Sequence, residues 1–340
     1  MRLKTLFLLC LGSILALLFS GFSAEKKPGS QAKEEDHTIR AEVNMVSLPV
    51  VVTDRQGKRI TDLKKEDFQV FENGVRQEIA GFAATDEPVD VALLLDTSGS
   101  TEMELAKIQN AAIDFVNQLH PDDEVAILSF ADDVRLQEDF TIDRDKNEYG
   151  IKKTRSGGCT VEYEAVWLGL EEVLKPIQER TALVLFTDGV DTCSHKASEN
   201  ETLDLAKETK ATIYCVYYDT ERDQYSRGRR SSTIGFPPVI LNPMPPIIGG
   251  PGSTSSEYAS GRAYLTKLAE NSGGLMLDGM QNLEDAFAQV AKELASQYSI
   301  GYYSNDQKRD GKFRKVEVKI DKPGLVARTK KGYYVKKDKK

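Results

Sequence analysis

The sequence predicts an α/β protein: a doubly wound, mainly parallel sheet inserted into a small β-sandwich formed by the amino- and carboxyl-terminal segments. Three observations point there. Residues 91–95, 182–186 and 213–218 are uninterrupted apolar runs, as expected of strands buried on both faces of a sheet. Helical patterns separate them, which implies parallel strands joined by right-handed crossovers. Strand patterns without helices lie on either side, at 38–86 and 299–336.

The 340 residues suffice for one large domain and a small one, and 40% apolar with 29% charged content is that of a globular protein. A formal charge of −8 argues against a general nucleic-acid binder. Residues 1–24 read as a signal peptide: Arg2 and Lys4 precede an apolar core at 6–18, and Gly21, Ser23 and Ala24 supply small residues for cleavage. That core is short for a membrane span, so no stable membrane anchor is expected in the mature form. Cys10 falls inside the segment to be removed, and Leu9 before it does not suit a lipoprotein signal. The mature protein is expected to be exported, periplasmic or extracellular, with Cys159, Cys193 and Cys215 left in an oxidising compartment. Cys215 lies in an apolar run and reads as a core thiol.

Residues 25–37 are polar and aperiodic, a flexible leader. Ile39, Ala41, Val43 and Met45 then alternate, followed by Val50 and Val52. A turn at 54–58 surrounds Gly57, and strands at 68–71 and 75–80 flank Asn73-Gly74, a hairpin signal. This β module, 38–86, is too small to bury a core alone, so it should pair with the carboxyl-terminal strands.

The α/β region, 88–298, starts with the strand ending at Asp96 and a helix carrying Leu105, Ile108, Ala112, Phe115 and Leu119 on one face. A strand at 124–130, a more polar edge strand at 134–142, a helix at 144–153 and a loop at 156–160 follow. Next come a helix at 162–174 with Val166, Leu170 and Val173 inward, a strand at 182–186, a helix at 199–210 and a strand at 211–218. Residues 220–260, rich in Pro, Gly and Ser, form a long insertion, read as a solvated loop with a lid or partner-docking role as the alternative. A helix at 262–270, a short strand at 274–277 and a final helix marked by Leu283, Phe287, Val290 and Leu294 complete the region. Strands at 300–303, 313–320, 325–328 and 333–335, with turns at Asp310-Gly311 and Lys322-Pro323-Gly324, form the carboxyl-terminal segment 299–336 before a lysine-rich tail.

Asp96 should stand at the carboxyl end of a central strand, the edge where open α/β sheets bind ligands. Asp96-Thr97-Ser98-Gly99-Ser100 places one carboxylate and two hydroxyls, those of Ser98 and Ser100, on one loop. Oxygen donors of this kind suit a hard dication. A helix cap would account for one of these residues but not for the set. Two more loops should reach the same edge: Gly158-Cys159-Thr160 before a helix, and Thr187-Asp188-Gly189 after a buried strand.

Together the three loops resemble the metal-ion-dependent adhesion site (MIDAS) of the von Willebrand factor type A domain, over about residues 89–299. The order of β segment, A domain and β tail ending in Gly332-Tyr333-Tyr334 is similar to that of secreted bacterial von Willebrand factor A-related proteins. The resemblance implies a Rossmann-like fold. It also implies metal ligands at Asp96, Ser98, Ser100, Thr160 and Asp188, with Mg²⁺ (or Mn²⁺ or Ca²⁺) as the cofactor. In that family the third-loop Asp often acts through water and the remaining inner ligands are neutral hydroxyls, so the resemblance implies a metal with an open position and residual positive charge. It would therefore attract an external carboxylate, and the implied partner is a protein presenting an acidic side chain. Cys159 and Cys193 flank two of the loops and could be bridged or free, since spacing does not fix distance.

The leading expectation is a cation-dependent adhesion or protein-interaction module, not an enzyme. One alternative is a structural subunit of an envelope assembly. Another is an aspartate-dependent phosphatase-like hydrolase, but such enzymes want a second Asp where Ser98 stands. No Gly-x-Ser-x-Gly elbow is present, and His37, His120 and His195 offer no evident Ser/His/Asp set. A soft-metal site of His195 with the two cysteines is the weakest reading.

Overall fold

The computed structural model describes residues 45–84, 87–177, 179–218, 254–279 and 282–335. The signal peptide, the leader, the expected strand at 38–44, most of the 220–260 insertion and the tail from 336 lie outside them. Among the described residues no helix is long and apolar enough to cross a membrane.

The α/β layer holds six strands: β5 (Asp90–Asp96), β6 (Val125–Phe130), β7 (Val134–Thr141), β8 (Thr181–Thr187), β9 (Thr212–Tyr217) and β10 (Met276–Asp278). Their order is β10-β9-β8-β5-β6-β7, all parallel except the edge strand β7, which runs antiparallel to β6. Strand β5 is central, and successive side chains serve opposite faces. Val91, Leu93 and Leu95 meet α1 (Leu105–Gln118) and α6 (Leu283–Leu294) through Ile108, Phe115, Phe287 and Val290. Ala92 and Leu94 meet α3 (Glu162–Leu168), α4 (Glu199–Glu208) and α5 (Ser255–Ser272) through Val166, Ala206, Leu265 and Leu268. A buried leucine such as Leu94 contributes about 2–3 kcal/mol of apolar burial. Burial on both faces explains why the strand is apolar without interruption. Helix α2 (Arg144–Lys153) packs beside β7 and α1.

Three expectations in this layer need correction. Helix α3 continues as a π-helical turn, Gly169–Leu174, so Leu170 and Leu174 are buried while Val173 is only partly covered. Helix α5 begins at Ser255, not 262, under a capping box of Thr254 and Glu257. The end of the 220–260 insertion is therefore helical. Helix α4 stops at Glu208, with Thr209 extended at its end.

Two four-stranded sheets form the sandwich. One has the order β13-β1-β11-β4, from β1 (Val46–Asp54), β4 (Ile79–Ala83), β11 (Gln297–Tyr302) and β13 (Leu325–Arg328). The other has the order β14-β12-β2-β3, from β2 (Phe68–Glu72), β3 (Val75–Gln77), β12 (Phe313–Ile320) and β14 (Gly332–Tyr334). Each sheet mixes strands from both chain segments. Leu48, Val50, Phe68, Val70, Tyr298, Ile300, Val316 and Val318 share the core between them. Asn73 (φ 47°) and Gly74 (φ 81°) turn the β2–β3 hairpin with both residues left-handed. The strand expected at 75–80 is broken: β3 stays with β2, and the chain crosses at Glu78 to enter the other sheet as β4. Strand β11 begins at Gln297, two residues inside the range expected for the α/β region.

Arginines join sandwich and α/β layer. Glu293, at the end of α6, accepts hydrogen bonds from Arg59 (Nη2, 2.8 Å) and from Arg328, which come from opposite ends of the chain. Arg180 donates to the carbonyls of Glu87 (3.0 Å) and Leu294 and to Gln297 Oε1 (3.2 Å).

Candidate metal centre

Strand β5 ends at Asp96, and the chain turns at once into a short 3₁₀ helix, Gly99–Glu104. Asp96 is 0% exposed. Its Oδ1 accepts from the Ser98 N–H (2.9 Å) and its Oδ2 from the Thr187 hydroxyl (2.8 Å). The Ser98 and Ser100 hydroxyls lie 3.0 Å apart, and Ser100 Oγ donates to Asp188 Oδ2 at 3.0 Å. First and third loops therefore bring Asp96, Ser98, Ser100 and Asp188 together.

The second loop abuts the first through its backbone. The Gly99 N–H donates to the Gly158 carbonyl (3.1 Å), and the Gly157 N–H donates to the Thr97 carbonyl (2.8 Å). A Cβ on Gly99 would lie 3.0 Å from the Gly158 oxygen, so glycine permits this approach. Thr160 follows two residues later, 5% exposed, and its backbone pairs with Thr192 beside the third loop. No hydrogen bond joins the Thr160 side chain to the first loop. Nor does that side chain cap α3, whose N-cap is Val161. The Ser98 side chain makes no cap bond either. Asp188 does act in a turn, since its Oδ1 accepts from the Val190 N–H (3.1 Å), but its other oxygen faces Ser100.

Cys159 and Cys193 are disulfide-bonded, with Cα atoms 6.0 Å apart, and tie the second loop to the segment after the third. Cys215 is a buried free thiol, as expected. Gly189 (φ +79°) lets the third loop meet α5: a Cβ on Gly261 would lie 2.3 Å from the Gly189 oxygen.

Four supporting residues escaped the sequence reading. Thr187 orients Asp96. Asp132, just past β6, accepts from the N–H groups of Gly158 (3.0 Å) and Cys159 (2.9 Å), and these bonds hold its carboxyl below the usual range. Asp191 accepts from the Tyr163 N–H (3.3 Å) at the start of α3 and from Ser194. Glu162, the first residue of α3, is 0% exposed. Asp132 stands at the same sheet edge as Asp96 in the sequence pattern and could have been found that way. A buried Glu at a helix start leaves no such signal.

The set is hydroxyl-rich and acidic. Burial first, and then the charge of Asp188, push Asp96 up to about 7 in the metal-free chain. Among the described residues no Lys or Arg pairs with Asp96. Buried carboxylate without a basic partner, beside convergent hydroxyls, fits a hard dication. Among the described residues no three His, Cys, Asp or Glu side chains converge as a metal cluster, so a soft site with His195 gains no support.

Residues 91–190 match the family described as the von Willebrand factor type A domain. No curated protein matches the chain. Among solved structures, the conserved hypothetical protein BatB from Bacteroides thetaiotaomicron is 18% identical, covers 61% of this chain and 97% of its own, and has a TM-score of 0.44. A von Willebrand factor type A protein from Catenulispora acidiphila is 13% identical over 79% of this chain and 72% of its own, with a TM-score of 0.47. Proximal thread matrix protein 1 from the mussel byssus, solved with a zinc-occupied MIDAS motif, is 18% identical over 64% of this chain and 48% of its own, with a TM-score of 0.42. The family match runs from the second residue of β5 to the residue after the third loop, and this chain carries a von Willebrand factor type A domain.

Proposed function

We propose that the domain is a cation-dependent protein-interaction module of an exported protein. In this reading Asp96, Ser98, Ser100, Thr160 and Asp188 hold one divalent cation, Mg²⁺ in the first instance. The observation that carries it is the continuous run of oxygens from Ser98 through Ser100 to Asp188, each step 3.0 Å. When bound, the cation supplies an electrophilic position for a carboxylate. The protein's own residues fix where it sits: Thr187 and the Ser98 N–H aim Asp96, and Asp132 and the disulfide hold the loop that carries Thr160. With Asp96 the one direct carboxylate, Asp188 acting through water and the other ligands neutral hydroxyls, a dication keeps residual positive charge and an open position, which favours an acidic side chain on a protein partner. Export is supported by the signal-peptide pattern of residues 1–24 and by the disulfide, which suits an oxidising compartment.

Calorimetry with Mg²⁺ and Mn²⁺ tests the site. Asp96→Ala should abolish binding while the circular dichroism spectrum stays that of the wild type. Unchanged affinity would remove the cation from the reading. An acidic peptide should then bind the wild type with Mg²⁺ present and lose binding with a chelator.

A further inference from the structure

A cavity of about 530 Å³ adjoins the first loop at the same edge of the sheet. Thr97, which stands between Asp96 and Ser98, lines it together with Gly157, whose N–H donates to the Thr97 carbonyl (2.8 Å). The cavity therefore shares its walls with the first and second loops. Arg135 from β7, Lys153 at the end of α2 and Arg155 just beyond also line it. Its two carboxylates are already engaged. Asp132 accepts from the Gly158 and Cys159 N–H groups, and Asp133 pairs with Arg135 Nε at 2.8 Å. Among the described residues the Lys153 ammonium has no ion pair, and the Arg155 guanidinium bonds only through Nη1, to the carbonyls of Lys152 (2.9 Å) and Thr154 (2.8 Å). A helix carboxyl end attracts bases, which accounts for that one arm of Arg155. It does not account for Arg135, which lines the same space from another element. In a chain of formal charge −8, a cavity whose cations outnumber its carboxylates is a place that draws in an external acidic group.

We propose that this cavity receives a second acidic side chain of the protein partner whose first carboxylate meets the cation. The proposal rests on the cation-dependent reading above and narrows it: the partner presents two neighbouring acids, not one. Arg155 keeps its Nε and Nη2 donors for a carboxylate, and Lys153 adds a point charge beside it. Leu136, 55% exposed, supplies an apolar wall that suits the methylenes of glutamate better than a free inorganic anion. With both acids on one chain the second contact is intramolecular, so it adds affinity even though each contact alone is weak. Lys153 and Arg155 are not among the proposed cation ligands, so substitution separates the two contacts.

The test uses the full chain and synthetic peptides in a Gly-Ser background, one with a single Glu and a series with two Glu at increasing separation. Binding is followed by NMR amide-shift titration at millimolar peptide with Mg²⁺ present, and Mg²⁺ affinity by calorimetry. The best two-Glu peptide should bind the wild type about 5- to 20-fold more tightly than the single-Glu peptide, from two exposed ion pairs and a statistical factor of about two. The Arg155 and Gly157 amides should shift with it. The double variant Lys153→Gln, Arg155→Gln should reduce that preference to about twofold, with Mg²⁺ affinity and single-Glu binding unchanged. Lys153→Gln alone, at an exposed position, should cut the preference by a factor of about two to five and serves if the double variant does not fold. A wild type without the preference, or a double variant that keeps it, overturns the role of the cavity and leaves the cation reading to the Mg²⁺ titration. Inorganic phosphate that shifts the same amides at equal concentration overturns the assignment to a partner side chain. A wild type that binds no Mg²⁺ overturns the cation reading and this proposal with it.

Discussion

Thr187→Val isolates how the fold aims its central carboxylate. Thr187 is 0% exposed, and valine has nearly the same shape, so packing should survive. Two hydrogen bonds do not. The hydroxyl donates to Asp96 Oδ2 (2.8 Å) and accepts from the Gly189 N–H (3.0 Å). Losing the first weakens one side of Asp96, whose Oδ1 keeps the Ser98 N–H. Losing the second orphans a buried N–H, at a cost of about 1–3 kcal/mol. Together the loss should be about 3 kcal/mol, which for a domain of this size lowers the unfolding temperature by roughly 6–12 °C. Mg²⁺ affinity should fall about 10- to 100-fold, as when a group supporting a metal ligand is removed. Thr187→Ser is the control: it keeps both bonds, loses one buried methyl at about 1 kcal/mol, and should bind Mg²⁺ within about twofold of wild type. Thermal unfolding and calorimetry read both quantities. A valine variant that is destabilised as calculated yet binds Mg²⁺ normally would refute the idea that Thr187 positions Asp96 for a cation.

Reducing the disulfide, or replacing both Cys159 and Cys193 by Ala, opens a loop spanning 34 residues of sequence. Chain-entropy reasoning puts the loss at about 4 kcal/mol, readable as a fall in the urea midpoint; an unchanged midpoint would show that the bridge constrains nothing. Gly261→Ala drives a Cβ to 2.3 Å from the Gly189 oxygen. The third loop or α5 must move, so stability should drop by about 1–3 kcal/mol with weaker Mg²⁺ binding, and a neutral result in unfolding would contradict the close approach. Lys330 is 4% exposed, and burial lowers its ammonium from 10.5 to about 8. A lysine depressed in the folded state costs stability below its folded value, and that cost fades as pH rises from about 8 to 10.5. Lys330→Met should therefore be the more stable protein at pH 7, by up to about 3 kcal/mol, and the advantage should vanish near pH 10.5 in parallel denaturant titrations.

Much of the α/β layer was legible because its signals are local. The apolar run of β5 stops at Asp96, and a strand that stops at an acidic, Gly- and Ser-rich turn marks the ligand edge. What escaped depends on partners distant in sequence. Glu162 is polar and starts a helix, so periodicity places it in water. The fold nevertheless leaves it 0% exposed. The break at Glu78 is invisible because β3 and β4 read as one alternating run, and a second sheet decides that the run divides. The early start of α5 had a local sign, the Thr254–Glu257 capping box, hidden in a serine-rich stretch. The clasp of Arg59 and Arg328 on Glu293 joins residues 234 apart in sequence and has no local sign.

The insertion topology has a mechanical consequence. The polypeptide enters β5 and leaves α6 at the end of the layer nearest the sandwich, while Asp96 stands at the far tip of β5. Tension applied at that tip would run lengthwise down a strand flanked by β6 and β8, loading many hydrogen bonds at once in shear instead of peeling them singly. The arginine clasp on Glu293 would then pass the pull into the β13-β1-β11-β4 sheet, which holds Arg328 and to which Arg59 is bridged at Thr53.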